Sequence, residues 1–139
     1  MPGKLVVLID INILLDVLQK REPFYEASAH LLASVETGRV KGFVAAHSIT
    51  TLFYLIKKDK SSSEARATIT NLLQFLKIAP IDQGTIEQAL NLDYHDYEDA
   101  VQMISAVQCK ADYLVTRNVK DYQPALLPVT QPVDLLATL

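Results

Sequence analysis

The feature that most restricts what this chain can fold into is the run Lys4-Leu5-Val6-Val7-Leu8-Ile9, which stops abruptly on the charge of Asp10. It is rich in β-branched residues, almost unbroken in apolar character and too short for a helix. A strand covered on both faces reads this way, and such strands belong to parallel sheets flanked by helices. From Ile11 the apolar residues switch to helical spacing at Leu14, Leu15 and Leu18, and Pro23 ends that helix before a second runs from about Phe24 to Thr37. Gly38 is placed to cap it.

The alternation then repeats. Gly42 to Ala46 predicts a second strand, and the helix after it carries Ile49, Leu52, Phe53, Leu55 and Ile56 and closes on Lys57, Lys58 and Lys60, where its dipole favours cations. Ser61 to Ser63 can start another helix with Ile69, Leu72, Leu73 and Leu76 as its buried stripe. Lys77 to Ile81 predicts a third strand, at an edge because Pro80 lacks a ladder donor. A helix from about Gly84 to Leu92, the acidic run Asp93 to Asp99, and a helix turning Ala100, Met103, Ile104 and Val107 inward and ending near Lys110 follow. Asp112 to Thr116 reads as a strand, Leu127 to Val129 as a short one, and a last helical turn reaches Leu139. Strands alternating with helices predict an α/β fold with three layers, α/β/α, around a mainly parallel central sheet. At 139 residues, half of them hydrophobic, the chain is expected to be one domain over 1–139.

In sheets of this kind functional groups collect beyond the carboxyl ends of the strands. Asp10, Asp82 and Thr116 to Asn118 each follow a strand signal, while Asp96 and Asp99 begin the helix that leads to the strand at Asp112. Each has a local explanation: Asp10 can simply cap the next helix, and Asp96 with Asp99 resembles a capping box. As a group they demand more. Carboxylates brought together raise one another's pKa unless a cation offsets the repulsion. Hard oxygen ligands with room for water suit Mg²⁺ or Mn²⁺, and such a site can activate water and clamp phosphoryl oxygens, most effectively when two ions sit ~3.5–4 Å apart. A metal would also let a chain of net charge −3 engage a polyanion without the basic footprint of an electrostatic nucleic-acid binder.

Other classes are set aside on simple grounds. Four glycines and six prolines exclude a disordered or linker-dominated chain, and the lone Cys109 cannot form an internal disulfide. No apolar run approaches ~18 residues, and Met1-Pro2-Gly3-Lys4 does not continue into a signal-peptide pattern, because Asp10, Asn12 and Asp16 interrupt it. The expectation is a cytoplasmic protein with no membrane partner.

Three segments carry a family resemblance: Leu8-Ile9-Asp10-Ile11-Asn12-Ile13-Leu14-Leu15-Asp16, then Asp96-Tyr97-Glu98-Asp99-Ala100, then Leu114-Val115-Thr116-Arg117-Asn118-Val119-Lys120-Asp121-Tyr122. In order and spacing, from about Leu5 to Val129, the chain resembles a PIN domain of the kind found in VapC-type toxins of bacterial toxin-antitoxin pairs. The resemblance implies a metal-dependent endoribonuclease acting on single-stranded RNA, with Mg²⁺ or Mn²⁺ in an acidic pocket, an antitoxin protein as partner and, by analogy, a homodimer. Residue by residue, it assigns Asp10 and Asp99 as metal ligands and catalytic acids, Asn12 as the companion of Asp10, Thr116 as the strand-end hydroxyl and Asp96 as a secondary acid. Asn118 stands where the family usually has Asp, and Asp121 is the next carboxylate available.

One departure is larger. The family usually places a glutamate on the helix after the second strand, and here Thr51 occupies that position, with no Glu or Asp between Gly38 and Lys58. With Thr51 and Asn118 both neutral the pocket loses up to two of four negative charges, which weakens a second metal site most. His47, Ser48 and Thr50 are the polar residues nearby that could substitute. Arg117 is the best placed cation for a phosphate contact, whereas Lys57, Lys58, Lys60 and Arg66 read as a solvated face and most of the six tyrosines as packing residues with wet hydroxyls. Two other readings stay open: a degenerate PIN domain that keeps its partner surfaces without cleaving, and a doubly wound phosphoacceptor or phosphatase with an Asp nucleophile. The latter expects a second Asp two positions on, where this chain has Asn12, and a Gly-rich phosphate loop, which is missing.

Overall fold

The computed structural model describes residues 3–139, so Met1 and Pro2 of the amino-terminal segment discussed above lie outside the described residues. Five strands, β1 (Leu5–Ile9), β2 (Val40–Ala45), β3 (Lys77–Ala79), β4 (Tyr113–Val115) and β5 (Val129–Thr130), pair in parallel in the order β3-β2-β1-β4-β5. β1 is central, and its Val7, Leu8 and Ile9 are wholly buried. Alternation along the strand divides them between two cores. Val7 and Ile9 pack with residues of α1 (Ile11–Leu18), α2 (Tyr25–Glu36), α3 (Ala46–Asp59), α4 (Ser62–Leu72) and α7 (Pro132–Leu136) on one face. Leu8 packs on the other face with Met103 and Ala106 of α6 (Tyr97–Gln108), beside which α5 (Gln83–Ala89) lies. Each such side chain contributes about 1.5–3 kcal/mol of burial. The three-layer α/β/α expectation holds.

β3 lies at the sheet edge, as Pro80 requires. Gly38 follows α2 with φ +83°, the left-handed conformation that a helix-ending glycine supplies. β2 begins at Val40 rather than Gly42, because Val40 is buried opposite Leu5 while the exposed Lys41 between them hides the strand's start in the sequence. Two side chains expected inside are outside. Leu73 is exposed because α4 ends at Leu72 and the chain turns before returning Leu76 to the core. Val107 is exposed because α6, buried without a break from Ala100 to Ala106, emerges from cover in its last turn. Among the described residues no helix is long and apolar enough to cross a membrane.

Candidate functional site

The strand order reverses beside β1, since β2 and β3 lie on one side of it and β4 and β5 on the other. Asp10 leaves β1 at that reversal, and its main-chain N–H donates to the carbonyl of Val115 at 3.0 Å. It occupies the N-cap position of α1, yet its side chain caps nothing. Instead Oδ2 accepts from the Thr116 hydroxyl at 3.1 Å and more loosely from Asn12 Nδ2 at 3.5 Å, while Oδ1 accepts from Gln102 Nε2 at 3.2 Å. The local capping explanation for Asp10 therefore fails: a buried carboxylate is held by neutral donors from three other positions.

Asp99 faces it from the first turn of α6. The Tyr122 hydroxyl donates to Asp99 Oδ1 at 3.1 Å and accepts from Gln102 Nε2 at 2.6 Å. Burial, reinforced by repulsion from Asp96, Asp10 and Asp121, pushes the Asp99 carboxyl up to about 6, with the Tyr122 hydrogen bond opposing. Asp10 and Asp99 line one cavity of about 50 Å³, closed by Ile11 of α1, by His47, Ser48 and Thr51 of α3, and by Glu98 and Gln102 of α6. Side chains 89 positions apart thus line one cavity, and among the described residues no Lys or Arg lines it.

The donor set suits a hard divalent cation. Among the described residues no three His, Cys, Asp or Glu side chains gather into a complete cage. Mg²⁺ and Mn²⁺ do not need one, because one or two carboxylates suffice when water or phosphate oxygens fill the remaining positions. Burial first, and repulsion from Asp96, Asp10 and Asp121 after it, raise the Asp99 carboxyl, and among the described residues no Lys or Arg lines the cavity to oppose them. His47 Nδ1 is also buried without a hydrogen-bond partner; burial lowers the pKa of this ring, against the attraction of Glu98.

The other residues singled out in the sequence divide between this cavity and its surroundings. Asn12 and Thr116 hold Asp10, and Thr51 lines the cavity, its hydroxyl turned back to the His47 carbonyl at 3.1 Å. Thr50 donates to that carbonyl too and is exposed, so of the polar substitutes only His47 and Ser48 reach the cavity wall. Asn118 is exposed and donates its main-chain N–H to Thr116 Oγ1 at 3.1 Å, which fixes that hydroxyl without placing the Asn118 side chain in the lining. Asp121 is exposed, close enough to repel Asp99.

Asp96 is the N-cap of α6 through Glu98 N at 2.9 Å, so for this residue the capping explanation describes its contact. Asp82 likewise forms a capping box with Thr85 and does not join the cavity.

Arg117 requires a correction. Its Nε lies 3.0 Å from Asp16 Oδ2 and its guanidinium stacks 4.0 Å from the centre of the Phe24 ring. Asp16 is wholly buried, and this partner is what makes its burial tolerable. Arg117 consequently lines a separate groove of about 480 Å³ between α2 and α7, not the acidic cavity.

Three residues escaped the sequence reading: Gln102, Tyr122 and Glu98. Gln102 carried a signal, a polar residue inside the apolar stretch Ala100-Val101-Gln102-Met103-Ile104. Tyr122 did not, and it corrects the expectation of a wet hydroxyl, since the residue is 2% exposed.

A family model for the PIN domain matches residues 6–120. No curated protein matches the chain. Among solved structures, a toxin-antitoxin complex from Klebsiella pneumoniae aligns with a TM-score of 0.69 at 22% identity, covering 91% of this chain and 97% of that one. VapBC2 from Rickettsia felis, bound to a DNA fragment from its promoter, aligns with a TM-score of 0.69 at 16% identity over 91% of this chain and 98% of the other. VapC20 from Mycobacterium tuberculosis, a Sarcin-Ricin loop cleaving toxin, aligns at 0.61 and 12% identity over 78% of this chain and 86% of its own. At these identities the likeness is one of fold.

Proposed function

The chain belongs to the PIN-domain family, and from that premise we propose that it is a divalent-metal-dependent endoribonuclease that cuts single-stranded RNA as the toxin of a toxin-antitoxin pair. The observation that carries this reading is the convergence of Asp10 and Asp99 on one cavity without a protein cation. Asp10 and Asp99 would hold Mg²⁺ or Mn²⁺, and the ion, when bound, supplies an activated water and stabilises charge on the phosphate. The chain's own residues provide the geometry. Thr116 and Gln102 fix the rotation of the Asp10 carboxylate, and Tyr122 fixes that of Asp99. Asp10 is buried at the sheet end and Asp99 is half-buried, and Thr51 and Glu98 are exposed residues of the same lining. With Thr51 neutral and Asn118 outside the lining, the arrangement favours one ion over two. Asn118, Asp121 and Asp96 then act around the site, through the Thr116 hydroxyl or through their charge. The toxin-antitoxin neighbours support an antitoxin protein as partner, and a homodimer is proposed by analogy with the family alone.

A second reading, a binding module that no longer cleaves, draws on one observation: Thr51 leaves the cavity wall without its family acid. Cleavage of single-stranded RNA by the parent and by Asp99→Asn, with Mn²⁺ or Mg²⁺ and with EDTA, separates the two. Nuclease function predicts cleavage abolished by EDTA and reduced about 100-fold or more in the variant, from loss of a ligand and its activated water. Metal-independent cleavage, or none by a folded parent, would leave the binding module.

A further inference from the structure

We propose that Gln102 and Tyr122 form a single hydrogen-bonded bridge that positions the two carboxylates as one metal site. The inference rests on the metal-site reading above and adds to it the residues that set the separation and rotation of the acids. A buried and a half-buried carboxylate repel, and with nothing to restrain them their side chains would turn apart. Here Gln102 Nε2 donates to Asp10 Oδ1 at 3.2 Å and to the Tyr122 hydroxyl at 2.6 Å, and that hydroxyl donates to Asp99 Oδ1 at 3.1 Å. Continuous from one acid to the other, the chain of contacts uses both amide hydrogens and the phenol hydrogen.

Its direction is fixed by chemistry. An amide rotated by half a turn would aim its carbonyl at the Asp10 carboxylate, oxygen against oxygen. In the observed orientation Gln102 Oε1 accepts from Ser48 Oγ at 3.4 Å, which ties the bridge to α3 as well. Gln102 and Tyr122 are 3% and 2% exposed, so water does not compete for these bonds. The result is that Asp99 Oδ1 is engaged while, among the described residues, no side chain donates to Oδ2, which is left for an ion. Partners that orient metal ligands in this way are typically worth about 10–100-fold in metal affinity. Gln102 and Tyr122 are positioning residues, since they act through the acids and do not touch the ion.

The test is Mn²⁺ binding to the full chain, measured by titration calorimetry and by the electron paramagnetic resonance signal of bound Mn²⁺. Tyr122→Phe removes one hydroxyl and keeps the ring. It is expected to weaken Mn²⁺ binding about tenfold or more and to broaden the bound-ion signal, with a still cooperative melt lowered only by the loss of the buried hydrogen bonds. Gln102→Met, similar in volume, should do the same, and the double variant should bind no worse than the weaker single one, because either change breaks the whole bridge. Tyr94→Phe is the control: its hydroxyl donates to the Pro124 carbonyl at 2.6 Å and its ring meets that of Tyr122 edge-on, so it reports packing and hydrogen-bond loss alone. It should bind Mn²⁺ like the parent. Parental affinity in Tyr122→Phe, or equal weakening in Tyr94→Phe, would overturn the bridge while leaving the metal site intact. A folded parent that binds no Mn²⁺ would instead remove the metal site, and the bridge with it.

Discussion

The Tyr122 hydroxyl donates to Asp99 Oδ1 at 3.1 Å, so a half-buried carboxyl pushed up to about 6 is held by a neutral group rather than by a cation. The consequence for stability follows from proton counting. In the unfolded chain Asp99 titrates near the ordinary ~3.9, so between about pH 4 and 6 the folded state holds more protons and stability falls as pH rises through that window. Above it the penalty is constant. Asp99→Asn has no such penalty and should stabilise the metal-free protein at pH 7.5 by about 1 kcal/mol once solvent screening of this half-exposed group is allowed for. Thermal melts in EDTA from pH 4 to 8 check this; the gap between parent and variant should close toward pH 4, and a gap independent of pH would contradict it.

Thr51 lines from α3 the same cavity that Asp99 lines from α6. Thr51→Glu supplies a third carboxylate on an exposed side chain that can reach the mouth, so it should tighten Mn²⁺ binding several-fold at pH 7.5. Without metal the added charge should lower the melting temperature, because it joins an unoffset negative cluster. A calorimetric titration beside an EDTA melt reads both effects, and unchanged Mn²⁺ binding would place the residue outside the ion's reach.

Arg117 is the counter-charge of a buried acid. Burial raises the pKa of the Asp16 carboxyl despite Arg117 and the Ser28 hydroxyl, which lower it. Arg117→Ala leaves that carboxylate unpaired and should cost about 3 kcal/mol at pH 7.5 by urea denaturation. The loss should shrink at pH 5, where Asp16 takes up a proton more readily in the variant. Mn²⁺ affinity should stay within about threefold of the parent. Unchanged stability with weakened RNA binding would restore the phosphate-contact role read from the sequence.

Gly42 sits in β2 where a Cβ would come within 2.9 Å of Val35 Cγ1 and 3.1 Å of Leu76 Cδ2. Both neighbours are core side chains, so Gly42→Ala should destabilise the protein by about 1–3 kcal/mol without altering Mn²⁺ binding. Denaturation midpoints check it; a neutral substitution would mean that α2 can shift away from the sheet.

Much of this molecule is written in local pattern. The unbroken apolar run of β1 implied cover on both faces, and strand alternating with helix implied the parallel sheet whose C-terminal edge gathers Asp10, Thr116 and the wall of α3. Elsewhere local pattern misled or was silent. Leu73 and Val107 have apolar character and helical spacing, but where a helix ends and whether cover extends to its last turn are decided by neighbours distant in sequence. Arg117 adjoins the strand-end motif in sequence, yet its destination was set by Asp16, whose burial a single turn of α1 does not reveal. Tyr122 is one tyrosine of six, and only tertiary structure distinguishes a phenol between two acids from one in solvent.

Asp10 and Asp99 are expected to share one divalent ion, and anomalous scattering from crystals soaked in Mn²⁺ tests this most directly. The predicted result is a single strong peak within about 2.0–2.3 Å of a carboxylate oxygen of each residue, lost in crystals of Asp99→Asn. A cavity that stays empty at saturating Mn²⁺, or a peak that touches neither acid, would contradict it.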